Sequence, residues 1–182
     1  MADVITRAFR ELYGKPCWNA HQGYGASLRF EFGQPHLKIR EFKSRPGQPL
    51  RKKRMANVHG EWHLWIYCCD WTIAHHGKQL ATNESSDRKI EMAAAWLNSQ
   101  ALTDVSVDPK HARTVFVFDD GGRLETHPWR TKKPYEQWLL YRPNKYVLTV
   151  RSDGTYGHHH HHTKPDKERW FRLAAVDGAS DD

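Results

Sequence analysis

Residues 61–73, EWHLWIYCCDWTI, are apolar on both of their alternating sets. In an extended chain Trp62, Leu64, Ile66 and Cys68 fall on one side, and Trp65, Tyr67, Cys69 and Trp71 on the other. A segment that must bury both faces reads as the central strand of a packed sheet. Eight Trp, seven Tyr and seven Phe put much of the hydrophobic content into large side chains, which favours strands and wide packed faces over helical bundles.

The rest of the chain is organised around that strand. Residues 3–13 place Val4, Ala8, Phe9 and Leu12 on one helical face, with Gly14 as the stop. In residues 27–42, Leu28, Phe30 and Phe32 alternate with Arg29 and Glu31. After Gly33-Gln34-Pro35, Leu37 and Ile39 resume the pattern, which predicts a β-hairpin. A short strand follows near residues 79–82. Ser85 or Ser86 then caps a helix over residues 86–99, in which Ile90, Ala93, Ala94 and Leu97 form a stripe beside Met92 and Trp96. Strands are predicted at 102–107, 114–118, 123–127, 135–141, 145–151 and 169–173.

The expectation is a mainly β (α+β) chain: a single-domain β-sandwich or open barrel of about ten strands, with one central helix and a short N-terminal helix. At 182 residues such a domain buries roughly 70% of its unfolded-chain surface. Its expected extent is residues 1–176, followed by a disordered acidic tail at 177–182. Residues 27–39 and 114–129 also echo each other as strand, glycine turn and return strand.

The apolar strand ending in EFG (residues 28–33), the GEWHLWI strand (60–66) and the FDDGG-L hairpin (116–124) together resemble a scattered group of uncharacterised bacterial β-rich proteins. The resemblance covers roughly half the chain. It implies a small cytosolic accessory or immunity-like protein and carries no catalytic residues.

The net charge is concentrated in residues 38–54. Lys38, Arg40, Lys43, Arg45, Arg51, Lys52, Lys53 and Arg54 stand there against one acid, Glu41, for a net +7. The whole chain is also +7, so its other basic and acidic side chains cancel. A neutral body with one basic arm implies a localised electrostatic contact. Two prolines, a glycine and no periodicity make residues 43–55 an exposed loop. The expected partner is an acidic protein, with Tyr24 or Phe42 as aromatic anchor beside the charges. The alternative is a non-specific nucleic-acid binder that uses the same loop on phosphates. Only Phe42 interleaves with the charges, which weighs against base stacking and toward the protein partner.

The remaining motifs are structural. His158, His159, His160, His161 and His162 follow Asp153-Gly154 and precede Pro165-Asp166, so they read as a polar loop whose metal capture is adventitious. His59-Gly60-Glu61-Trp62-His63 has two histidines four apart in a strand pattern. Strand positions four apart are about 13 Å apart, too far to share a metal. Cys17 and His21 lack a second ligand pair at metal-site spacing. Asp119-Asp120-Gly121-Gly122 is a hairpin turn, and Gly23-Tyr24-Gly25 precedes a strand rather than a helix. No nucleophile, base and orienting group assemble from local spacing, so neither an enzyme nor a cofactor is expected. Three cysteines, two of them adjacent, cannot make a disulfide framework, there is no long apolar run, and Met1 begins no signal-like segment. The expected setting is the reducing cytosol, away from membranes.

Overall fold

A computed structural model describes residues 4–41, 54–129 and 131–173. It is mostly β, with two α-helices: α1 (Val4–Phe9) and α2 (Asp87–Ala95). The strands are β1 (Cys17–Gln22), β2 (Leu28–Phe32), β3 (His36–Glu41), β4 (Arg54–His59), β5 (Trp62–Ile66), β6 (Cys69–His75), β7 (Lys78–Thr82), β8 (Leu102–Asp108), β9 (Arg113–Phe118), β10 (Gly122–Pro128), β11 (Glu136–Tyr141), β12 (Tyr146–Arg151), β13 (Thr155–His160) and β14 (Trp170–Arg172). The expected fold class, central helix and short N-terminal helix are all present. The described residues hold fourteen strands rather than the expected ten.

The strands form three antiparallel sheets. One runs β1-β2-β5-β11-β12-β13-β14, a second β7-β6-β10-β9-β8, and β3-β4 is a separate two-stranded ribbon. The two larger sheets enclose one apolar core, to which α1 contributes Phe9. There Phe9, Phe116 and Trp138 meet edge to face, with ring centroids 5.7–5.9 Å apart. The Trp138 indole N–H donates to Thr114 Oγ1 at 2.8 Å, so the polar edge of the ring is satisfied inside the core.

Residues 61–73 are not one doubly buried strand. Trp62, Leu64 and Ile66 of β5 point into the core from the seven-stranded sheet, and Cys69, Trp71 and Ile73 of β6 do so from the five-stranded sheet. Between them, Tyr67 and Cys68 form a corner, still bonded through their amides to the Gln137 and Glu136 carbonyls. The corner shifts the alternation by one residue as the chain changes sheets. Both apolar sets therefore serve the same core, one on each side of the shift.

The expected hairpin at 27–42 also divides. β2 already has β1 and β5 on its two edges, which leaves no edge for β3 to join. Beyond Gly33 (φ +75°) the chain leaves the sheet, and β3 pairs only with β4, from His36↔His59 to Glu41↔Arg54. The echo between 27–39 and 114–129 therefore has no structural counterpart, since β9 and β10 do form a hairpin. Arg54 and Met55, expected in a loop, lie in β4. The histidine run is likewise strand where a loop was expected. The turn at Asp153-Gly154 folds β13 back on β12, pairing His158 with Leu148 and His160 with Tyr146. Only His161 and His162 lie past the strand end.

Helix α2 buries Ile90, Ala93 and Ala94 and packs against the edge strands β1 and β7. Its Glu91 accepts the Gln22 amide at 2.7 Å, and Asn98 beyond it accepts the Ala20 amide at 2.8 Å. Side chains thus occupy donors that an open sheet edge would present. Residues 177–182, expected to be a tail, lie outside the described residues.

Candidate functional site

Because Leu28, Phe30 and Phe32 of β2 and Trp62, Leu64 and Ile66 of β5 point inward, the residues between them point out. Register aligns these outward residues in rows. Arg29 faces Trp65, and Glu31 faces His63, which in turn faces Tyr141 of β11. The Arg29 guanidinium lies over the Trp65 ring, 5.6 Å from its centroid. Together with the β3–β4 ribbon, this outer face borders a cleft of about 1450 Å³.

The ribbon contributes the face that carries Lys38, Arg40 and His59. Arg142, Lys145 and Tyr146, from the β11–β12 turn and the start of β12, also line the cleft. Among the described residues, Arg29, Lys38, Arg40, Arg142 and Lys145 line the cleft against two acids, Glu31 and Glu61, so this lining is cationic. Three buried donors on its wall, Arg29 Nε, Trp65 Nε1 and Arg142 Nε, have no acceptor among the described residues.

On the cleft wall Glu31 is 2% exposed and gathers two imidazoles. Its Oε1 is 2.8 Å from His63 Nδ1 and 3.2 Å from His59 Nδ1, and its Oε2 accepts the Gly60 amide at 2.9 Å. Burial pushes the Glu31 carboxyl up. The hydrogen bond and charge of His63, the Gly60 amide and His59 outweigh that, and the carboxyl is held below its ordinary range. Burial lowers His59, against the pull of Glu31.

The separation of about 13 Å expected between His59 and His63 along a continuous strand is not found. β4 ends at His59, the chain turns at Gly60 and Glu61, and β5 begins at Trp62. The two rings lie 5.7 Å apart between centroids rather than a full four-residue strand length.

The other sequence-predicted site residues scatter. Lys38 and Arg40 line the cleft, while Arg54 pairs with Glu41 at 2.9 Å on the exposed end of the ribbon. Phe42, Lys43, Arg45, Arg51, Lys52 and Lys53 lie outside the described residues. Tyr24, 97% exposed in the β1–β2 connection, is not among the cleft residues. In the histidine run, His161 reaches the cleft, while His159 packs on Trp170. Cys17 is buried in the core, and His21 Nδ1 bonds the Asn19 carbonyl. Asp119 accepts the Ala101 amide beside Gly121 at φ +73°, as a hairpin turn requires.

Arg29, Glu31, Trp65, Tyr141, Arg142 and Lys145 were not singled out from sequence. Arg29 and Glu31 were legible as outward residues of an alternating strand. What was not legible was the set of distant strands that faces them. Comparison with known protein families, curated proteins and solved structures finds no match.

Proposed function

We propose that the cleft binds single-stranded nucleic acid. The observation that carries this reading is the Arg29–Trp65 pair, whose donors Arg29 Nε and Trp65 Nε1 have no acceptor among the described residues, in a cleft also lined by Lys38 and Arg40. Phosphates supply acceptor oxygens and charge, and unstacked bases supply flat faces for Trp65, Tyr141 and Tyr146. A duplex keeps its bases stacked and offers these rings nothing. Within residues 38–54 Phe42 is the one aromatic among the basic residues, a sparseness that by itself favours a protein partner. Strands β5, β11 and β12 bring aromatics to the same cleft.

Fluorescence anisotropy with a short labelled oligonucleotide of mixed sequence tests the reading. Binding is expected to weaken with salt by about 0.7 log units per log unit for each phosphate neutralised. Trp65→Ala is expected to weaken it roughly fivefold to a hundredfold, the range for losing one stacking partner. Absence of binding at low salt, or binding indifferent to Trp65→Ala, would remove this reading.

A second reading, an acidic protein partner as for an accessory or immunity factor, is favoured by the other face of the ribbon. Leu37 and Ile39 alternate with Lys38 and Arg40 and are 66% and 61% exposed. Such a partner would lose affinity on Leu37→Ser or Ile39→Ser, changes to which nucleic-acid binding in the cleft is indifferent.

A further inference from the structure

The centre formed by Glu31, His59 and His63 is not needed for stacking or for phosphate contacts, and its chemistry points elsewhere. A carboxylate this deeply buried needs a counter-charge. Among the described residues no lysine or arginine lies within ion-pair distance of Glu31, whose polar partners are two imidazoles and a backbone amide. Their arrangement is that of a ligand set. His59 Nδ1 and His63 Nδ1 converge on the same oxygen, Oε1, and the three candidate ligand atoms lie within 4.8 Å of one another. Ligands about 2.0–2.2 Å from a tetrahedral Zn²⁺ stand roughly 3.3 Å apart, so an ion needs only small side-chain adjustments here. The Gly60 amide holds Oε2 and fixes the carboxylate plane, leaving Oε1 to ligate, as an outer-shell partner does. All three side chains line the cleft, so the remaining coordination positions face it.

We infer that Glu31, His59 and His63 form a binding site for one first-row divalent cation, held by two imidazole nitrogens and one carboxylate oxygen and open toward the cleft. Two nitrogens and one oxygen with an open side suit Zn²⁺ or a neighbouring metal of that row rather than Ca²⁺ or Mg²⁺, which prefer oxygen alone. The ion joins the last residue of β4 to β2 and β5, and so fastens the ribbon to the sheet. Its open positions take water or an anionic oxygen of whatever occupies the cleft. The site stands independently of the nucleic-acid reading.

The test must separate this centre from residues 158–162, which will also take up metal. Imidazole nitrogen NMR of the full chain does so residue by residue, with Zn²⁺ as the probe. At the first equivalent, the Nδ1 resonances of His59 and His63 are expected to move to metal-bound positions, at Zn²⁺ concentrations at least tenfold below those affecting residues 158–162. If both rings keep their hydrogen-bonded signals while only residues 158–162 respond, the site is overturned. Glu31→Gln, which keeps the shape and removes the charge, is expected to raise the Zn²⁺ concentration needed at His59 and His63 at least tenfold without moving residues 158–162. An unmoved threshold overturns the site. Should that variant fail to fold, the unsubstituted chain decides alone.

Discussion

Gly60 passes so close to Phe32 that a Cβ built on it would stand 2.4 Å from the Phe32 carbonyl oxygen and 2.9 Å from its nitrogen. Both contacts are with backbone, which cannot swing away. This approach is what lets the chain turn between β4 and β5 and bring His59 beside Glu31. Gly60→Ala is therefore expected to cost about 1–3 kcal/mol, the usual range for overpacking, read by urea denaturation. His59 is also expected to separate from Glu31, seen as a change in its imidazole NMR signals. An alanine variant of unchanged midpoint with both rings still on Glu31 would contradict the close packing.

Thr114 matters to the core through one bond. The Trp138 indole N–H is buried among Phe9, Phe116 and the inner strands, and Thr114 Oγ1 is its acceptor. Thr114→Val keeps the shape but leaves that donor unpaired, at an expected cost of about 1–3 kcal/mol. Phe9→Ala, which opens a cavity in the same cluster, is expected to cost about 3–5 kcal/mol. The ranking is checked by the two urea midpoints at equal m-values. It fails if Thr114→Val is neutral.

The sheet-forming segments were readable wherever one face of a strand is buried. Leu28-Arg29-Phe30-Glu31-Phe32 and the strands from Leu102 to Pro128 announce themselves by alternation and turn residues, while β11 and β12, buried on both faces, were legible as apolar runs bounded by the turn at Pro143-Asn144. β1 was not readable: its CWNAHQ sequence does not alternate, and the left-handed Asn19 (φ +50°) interrupts its register. The pairing of strands was also hidden. Nothing in residues 61–73 marks Tyr67 and Cys68 as a corner between sheets, because an apolar run looks the same buried on two faces or divided between two. Lys38 and Arg40 were found because charge clusters in sequence. Glu31 was not singled out because its importance comes from His59 and His63, and their closeness depends on a turn at Gly60 that a continuous strand pattern conceals. Trp65, Tyr141 and Tyr146 meet the basic ribbon only in three dimensions.

The three cysteines are expected to react very unequally. Cys17 and Cys69 are buried, and burial, with smaller contributions from Glu31 and Asp70 respectively, pushes both thiols far above their ordinary range. Cys68 sits at the corner, partly exposed, and is also raised, chiefly by burial. A native-state titration with a chromogenic disulfide at mildly alkaline pH is expected to find one slow thiol, Cys68. All three become reactive on denaturation, and Cys68→Ser is expected to remove the native signal. Rapid native reaction of Cys17 or Cys69 would contradict their burial.

Glu125 gives the clearest pH-dependent contribution away from the cleft. On β10 it receives Arg113 of β9 at 2.6 Å, Arg123 at 3.2 Å and His127 at 2.9 Å. Burial pushes its carboxyl up, but the Arg113 guanidinium, then Arg123 and His127, outweigh that and hold it below the ordinary glutamate range. The unfolded chain then binds more protons than the native state across the window between the two pKa values. Stability from this group is fully present above the unfolded glutamate pKa and is lost as pH falls through the lowered native one. Arg113, Arg123 and His127 are each more than 40% exposed, so solvent screening limits the contribution to about 1 kcal/mol or less. Glu125→Gln is therefore expected to lower the urea midpoint at neutral pH. The gap from the parent protein narrows as pH falls below the ordinary glutamate range and closes once Glu125 is protonated in both states. High salt is expected to shrink the gap at neutral pH. A gap that widens on acidification would mean that Glu125 is destabilising as a carboxylate, with burial outweighing Arg113, Arg123 and His127.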